Sequence, residues 1–439
     1  LCAAQILWDF KDMGILDKLS TIPFHLAAII FGEKVAPPIS DDYNFYGLLK
    51  RFWMTDRAIK SFRKITYSIT NLSDADQVGA KFFHLFYLSY LRDKNAMGCQ
   101  MVTDNYSPAL IDPFVKLLEK KGVKILLNRH IDDIAVENGR VKAVIAADHS
   151  RGVWLICPNC GLKFLRSGSD AFCPKCGKSW EISNLFRLWP AREVIEGDYF
   201  ISAIQPHQFA KILKNEKSGL PPNHPLLGHP YFRALGQFKG AQLSFSRIYY
   251  GDKLTKGYNL TGLDRDYFIF NGAMDISNIM PRYANASVFD TLHDDGEVLE
   301  MYPVDELKNK TLIDLWKVFP KTLVRRPDAH LLARIYPDVL YHRPHPRLHS
   351  RFLPETQETP IENLYMAGDW TDEYQLGLEA AVKSGVKAAN IILKKENKEP
   401  APLLKPRVAV GVRLIQKLTA PLRKYFEWRY ERKKPPHRG

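Results

Sequence analysis

The sequence predicts a mixed α/β (α+β) fold, and three stretches carry that reading. Residues 363–393 read as a short apolar strand closing on Ala367-Gly368-Asp369, then a loop, then a long helix. Residues 107–120 have helical spacing with a proline near the first turn. They lead into a strand starting at Gly122, and then into a hairpin turning at Asn138-Gly139. Further on, residues 238–247 alternate apolar and polar as a half-buried strand does, and residues 307–319 return to helical spacing.

The C-terminal stretch organises the rest. Its helix opens at Gly377 and carries Ala380, Ala381, Ser384, Gly385, Ala388 and Ala389. Small side chains let a helix lie close to a sheet or a ligand, and a glycine before the helix lets the backbone turn toward it. A helix N-terminus offers unpaired N–H groups and a positive dipole end, which suit a phosphate or an electron-rich ring edge.

These residues resemble the C-terminal flavin-binding motif of the FAD-dependent amine oxidase and phytoene desaturase superfamily. Ala367-Gly368-Asp369, Gly377, Glu379, Ala381, Ser384-Gly385 and Ala388-Ala389 fall in that motif's order. The resemblance implies a Rossmann-like FAD-binding domain. Asp369, after Gly368, would approach the ribityl-pyrophosphate part of FAD. The backbone N–H of Leu378, between Gly377 and Glu379, would meet the flavin C2 carbonyl. The helix–strand–hairpin unit at 98–150 resembles the superfamily segment beside the FAD adenosine, and places the backbone of Ile131 at the adenine. His130 reads as a surface or capping residue.

One module is missing from the pattern. Dinucleotide-binding flavoproteins of this kind open with strand, G-x-G-x-x-G and helix, and no such glycine pattern occurs here. The sequence begins at Leu1 with text resembling the helix that follows that module. The expectation is a piece of a longer chain, with a partner chain supplying the module as the alternative. The FAD domain is therefore read as incomplete.

Between the hairpin and residues 197–206, which resemble the strand returning to the FAD domain, an insertion intervenes. It carries two C-P-x-C-G turns, Cys157-Pro158-Asn159-Cys160-Gly161 and Cys173-Pro174-Lys175-Cys176-Gly177. Four thiolates on paired knuckles make a strong metal-site signature, most often a structural zinc ribbon. The spacing also resembles the iron-binding rubredoxin-like module of rubrerythrins, although Leu162 stands where that module usually has an aromatic residue. Zinc is the expected metal and iron the alternative. The two other cysteines, Cys2 and Cys99, stand alone, and free thiols beside a metal site point to a reducing cytoplasm.

Composition agrees. The 439 residues are 46% hydrophobic and 25% charged, as in a globular protein of two or three domains. The net charge of +14 is concentrated toward the tail, where eleven basic residues face two acidic ones from Lys405 onward. Interleaved with Trp, Tyr, Phe and Leu, these residues suit an anionic membrane surface. RNA binding and a partner-docking helix are the rival readings, with nucleic acid disfavoured. Residues 22–31 are too short to span a bilayer and are expected as a buried helix. Residues 342–349, with three histidines among prolines, read as a solvated loop.

The expected organisation is a helical part of a substrate domain at 1–97 and FAD-domain parts at 98–150, 191–212 and 351–397. The cysteine module spans 151–190, a sheet-and-helix substrate domain 213–350, and the basic tail 398–439. The resemblance implies an FAD oxidoreductase that takes hydride from, or assists isomerisation or dehydroxylation of, a long apolar substrate, with quinone or oxygen as electron acceptor, and the tail favours an isoprenoid at a membrane surface. Amine or porphyrinogen oxidation is the alternative within the superfamily. A non-catalytic zinc-ribbon binding protein with a degenerate flavin domain is the alternative outside it. No catalytic acid or base is identified.

Overall fold

The computed structural model describes residues 13–31, 44–70, 79–80, 103–148, 154–157, 159–165, 171–172, 175–176, 179–180, 186–188 and 192–213. It further describes 225–238, 243–256, 260–262, 268–270, 272–293, 299, 301–335, 357–371, 377–403, 408 and 410–431. Residues 82–91 of the segment expected as helical at 1–97, and the three histidines of 342–349, lie outside these residues.

Helices α1 (Ile15–Ser20) and α2 (Ile22–Phe31) meet at buried Thr21, whose hydroxyl donates to the Lys18 carbonyl at 2.7 Å. The inner side of α2 buries Phe24, Ala27, Ala28 and Phe31. Phe24 stands edge-on to Phe45 of α3 (Phe45–Arg51), to Phe52, and to Phe62 of α4 (Asp56–Thr70). Edge-to-face rings of this kind add about 0.5–1.5 kcal/mol each beyond their buried area. The stretch 22–31 is thus the expected helix but buried on one side only, with Ile22 and Leu26 about half exposed.

The expected helix at 107–120 is a π-turn at Ser107–Ile111 running into α5 (Asp112–Lys120). The strand expected from Gly122 does not form. Residues 123–126 pair with no ladder, and Val123, Ile125, Leu126 and Leu127 are exposed. A continuous apolar run reads as a strand buried on both faces. Its hydrogen-bonding neighbour is absent from the described residues, and an isolated strand has nothing to hold it.

Next come β1 (Arg129–Glu137) and β2 (Arg140–Asp148), an antiparallel hairpin whose two turn residues have positive φ, 50° at Asn138 and 76° at Gly139. That is the type I′ geometry an Asn-Gly pair favours. The cysteine insertion follows: β3 (Trp154–Ile156), β4 (Lys163–Leu165), β5 (Ala171–Phe172), β6 (Ser179–Trp180) and β7 (Phe186–Leu188). Strand β3 pairs with β4 and β7, and β5 pairs with β6. The chain then returns as β8 (Arg192–Glu196) directly alongside β2, from Ala143↔Glu196 to Ala147↔Arg192. The insertion therefore hangs from one end of a three-stranded sheet whose strands pair without it.

Strand β9 (Phe200–Ser202) leads to α6 (Pro206–Leu213), α7 (Pro225–Gly228) and α8 (Pro230–Leu235). A separate five-stranded antiparallel sheet follows, built from β10 (Leu243–Tyr250), β11 (Leu260–Gly262), β12 (Gly272–Asp275), β13 (Ser287–His293) and β14 (Ala329–Ile335). Its order is β11-β12-β13-β10-β14, and α9 (Val304–Val318) lies against it. The ladder starts at Leu243, five residues after the alternation begins at Phe238, which is buried instead in the neighbouring core. Ile248, Tyr250, Phe270, Phe289 and Leu315 fill the core under this sheet.

The chain closes with β15 (Leu364–Met366), α10 (Leu378–Lys395), α11 (Val410–Leu418) and α12 (Ala420–Glu431). Strand β15 runs parallel to β9, with Leu364 opposite Phe200 and Met366 opposite Ser202. Leu364, Met366 and Trp370 share one core with Ile134 and Val141 of the hairpin and with Phe209 and Phe238. Each such side chain contributes about 1.5–3 kcal/mol on burial. Helices α11 and α12 pack against α2, so the two ends of the described chain meet. Among the described residues no helix is long and apolar enough to cross a membrane.

Candidate functional site

Strand β15 is buried along its whole length and delivers Gly368 to a turn that only glycine accommodates. Its φ is +134°, and a Cβ there would lie 2.6 Å from the Trp370 ring. Trp370 packs edge-on against Phe238, which fixes the ring over the turn. The Gly368 N–H donates to Ser384 Oγ at 2.7 Å, and that hydroxyl donates to the Ala381 carbonyl at 2.6 Å. The small residues of α10 thus have a local purpose: buried Ala380, Ser384 and Ala388 let the helix lie against the strand end.

Asp369 opens a short 3-10 turn at Asp369–Thr371 and is half-buried. Its Oδ2 accepts the Gly377 N–H at 3.0 Å, which bridges the loop to the start of α10. Burial pushes the Asp369 carboxyl above its ordinary range, against the pull of the N–H groups of Gly377, Trp370 and its own. Gly377 takes φ +106° as the residue capping α10, and a Cβ there would meet nothing within 4 Å. No side chain caps this helix, so the first-turn N–H groups of Leu378 and Glu379, both exposed, have no intrahelical acceptor. The structure therefore brings Gly368 and Asp369 beside the start of α10, where Gly377, Leu378 and Glu379 lie.

Ile131 lies on β1 opposite Ala146, where the ladder slips between Ile131 and Asp133. The hairpin is tied to the strand end by Asn363, which sequence reasoning passed over as the first residue of the motif. Among the described residues, buried polar groups at this strand end lack hydrogen-bond partners: Ser202 Oγ at the end of β9, Gln205 Oε1 just after it, and Trp370 Nε1 after β15. Polar atoms beyond the carboxyl ends of adjacent parallel strands mark where α/β sheets bind ligands. An acceptor carboxylate, an open helix N-terminus and orphaned polar atoms fit a polar, anionic cofactor such as FAD. The cavity of about 400 Å³ lined by Gln357, Lys387, Asn390, Lys394 and Leu403 is a different place. Asn390 lies roughly 18 Å along α10 from the helix start.

The cysteine module brings three of its four thiols together. The Sγ atoms of Cys157, Cys160 and Cys176 lie within 4.8 Å of one another, with Cys157 and Cys176 at 3.7 Å. Cys173 lies outside the described residues. The first knuckle closes through Gly161 N–H to the Cys157 carbonyl at 2.8 Å and Cys157 N–H to the Leu162 carbonyl at 3.0 Å. Gly161 sits at φ +67°, the left-handed conformation the C-P-x-C-G pattern anticipates. Burial would raise the Cys157 thiol, yet it is held down to about 6 by the N–H groups of Cys160 and Asn159 and by the two neighbouring thiols. Each knuckle is the turn of a hairpin, β3–β4 for the first and β5–β6 for the second.

Comparison with known proteins finds likeness in one family model and in fold. Residues 186–393 match the family model for flavin containing amine oxidoreductases. The chain is similar to a 15-cis-phytoene desaturase of Solanum lycopersicum, 22% identical over 328 residues, which are 74% of this chain and 47% of that one. It thus spans about half the length of that relative. Among solved structures, an oxidoreductase from Methanosarcina mazei superposes with a TM-score of 0.56 at 14% identity, covering 87% of this chain and 73% of that chain. Cyclohexylamine oxidase from Brevibacterium oxydans superposes at 0.53 and 12% identity, covering 89% and 77%. The chain thus shares the fold of these oxidases, and residues 186–393 carry the similarity to flavin containing amine oxidoreductases.

Proposed function

We propose that this chain forms much of an FAD-dependent oxidoreductase of the phytoene desaturase-like group, acting on a long apolar isoprenoid at a membrane surface. The observation that carries the reading is the bridge from Asp369 Oδ2 to the Gly377 N–H, which shapes the strand end and the open start of α10 into one polar cradle. FAD held there would supply hydride acceptance from a substrate C–H bond, with quinone or oxygen as the final acceptor. The chain's own part is positional. Asp369 would accept hydrogen bonds from ribityl hydroxyls of FAD, and the Leu378 N–H and the dipole of α10 would favour electron density at the flavin edge. Gly368 and Gly377 keep Cβ atoms out of the way, Glu379 sits in the first helical turn, and the Ile131 backbone takes the adenine side. Residues 213–350, with the five-stranded sheet, form the substrate domain. The similarity to a phytoene desaturase over 74% of this chain supports an isoprenoid.

The four cysteines of 151–190 hold zinc in this reading, with iron the alternative. Three converging thiols on two hairpin turns support it. A second reading, oxidation of an amine or porphyrinogen, is supported by the family match over 186–393. A zinc-stapled binding protein without flavin is the third.

An absorption spectrum with metal analysis, on protein from the complete gene, separates them. A flavin band with one zinc per chain, and reduction of that flavin by an isoprenoid, supports the proposal. Reduction by amines instead favours the second reading. Absence of flavin rejects both enzyme readings, and a red iron–thiolate absorption replaces zinc by iron.

A further inference from the structure

The sequence offers an apolar N-terminal helix and a basic tail as separate features, and the fold joins them. On α1 and α2, Ile15, Leu19, Ile22 and Leu26 recur at steps of four, three and four, which places them on one stripe. That stripe is between 44% and 69% exposed, while Phe24, Ala27 and Ala28 on the other side of α2 are buried. Helices α11 and α12 pack against this same α2. Helix α11 buries none of its residues. Val410, Leu414, Leu418, Leu422, Tyr425 and Trp428 continue a stripe at steps of four and three across both helices, each 45% exposed or more. Arg413, Lys417, Arg423 and Lys424 flank it.

We infer that α1, α2, α11 and α12 form a single docking face that lies in the plane of an anionic bilayer surface. The N-terminal helices supply part of the apolar contact, and the C-terminal helices supply the rest together with the cations. Charge selects this occupant. Apolar stripes bordered by lysine and arginine, with Tyr and Trp beside them, match the boundary between anionic headgroups and acyl chains. None of the four helices is long enough to span, so the face rests on the membrane. This inference rests on the membrane-surface part of the proposed function and adds the N-terminal stripe to it.

The test is co-sedimentation of the full chain with phosphatidylcholine vesicles, with and without phosphatidylserine. Adding phosphatidylserine should raise the partition coefficient about tenfold, and high salt should reverse most of the gain. The double variant I15E/L19E, far from the tail in sequence, should lower partitioning about tenfold, as should L414E/L418E. These positions are exposed, so unchanged circular dichroism and melting temperature verify folding of each variant. Full partitioning of I15E/L19E overturns the joint face, and so does equal binding to both vesicle types. A concentration-dependent dimer that both variants dissolve overturns it in favour of a second copy of this chain. Flavin content, measured on the same samples, reports separately on the cofactor reading.

Discussion

Asn363 binds Val141 as a neighbouring strand would: its Oδ1 accepts the Val141 N–H at 2.8 Å, and its Nδ2 donates to the Val141 carbonyl at 3.0 Å. The same amide nitrogen donates to the Asp198 carbonyl, also at 3.0 Å. One side chain thus joins the hairpin, the approach to β9 and the start of β15. Replacing it with alanine takes this partner from the buried N–H and C=O of Val141, each costing about 1–3 kcal/mol, and from the part-buried Asp198 carbonyl. N363A should lose about 3 kcal/mol or more in urea unfolding. N363D, which keeps the acceptor, should fall between it and the parent. A loss below about 1 kcal/mol for N363A would show that another contact holds the hairpin.

G368A forces a side chain into a left-handed backbone and toward the Trp370 ring. It should cost about 2 kcal/mol or more. If the turn cradles FAD, the variant should also release flavin on gel filtration under conditions where the parent keeps it. Retention of flavin with parental stability would mean that Trp370 moves aside freely.

His293 predicts a dependence on pH. Burial, and then His330 close by, push its pKa down to about 3, and burial lowers His330 to about 4. Phe270 stacks on the His293 ring at 6.0 Å, and Thr291 and Thr311 meet Nε2. The imidazole is neutral in the fold and charges more readily in the unfolded chain. Its contribution is therefore complete above about pH 6.5 and falls away as pH drops toward 3. Thermal midpoints should decline through that window, and H293F should flatten the decline. An equal slope in the variant would assign the acid sensitivity to other groups.

Because β2 and β8 pair directly, the cysteine module should be removable. Excising residues 149–190 in favour of a short turn should abolish metal binding and leave melting temperature and flavin content near the parent's. C157S alone should lose the metal and unfold the module locally, visible as protease cleavage within 151–190. Loss of flavin in the excised variant would show that the module supports the cofactor site.

What could be read from the sequence follows from how local each cause is. Asn138-Gly139, the small residues of α10 and the first knuckle act over a few residues, and their turns and helix stand where expected. The reach of Asn363 and the hydrogen bond of Ser384 escaped because their partners, Val141 and Gly368, are fixed by tertiary packing. An asparagine heading a strand gives no sign of where its amide will reach. The strand expected at 122–128 failed for the opposite reason: its sequence is right for a buried parallel strand, but strand formation needs a neighbour.

That unpaired run has a consequence for how the protein is made. A polypeptide that shows Val123, Ile125, Leu126 and Leu127 to water, with open backbone alongside, offers nascent neighbours a template for edge-to-edge growth. Longer exposure of this run before it is covered should then lower the yield of native protein. Lower temperature, slower translation and holding chaperones should raise recovery of native protein more than any gain in the stability of its core.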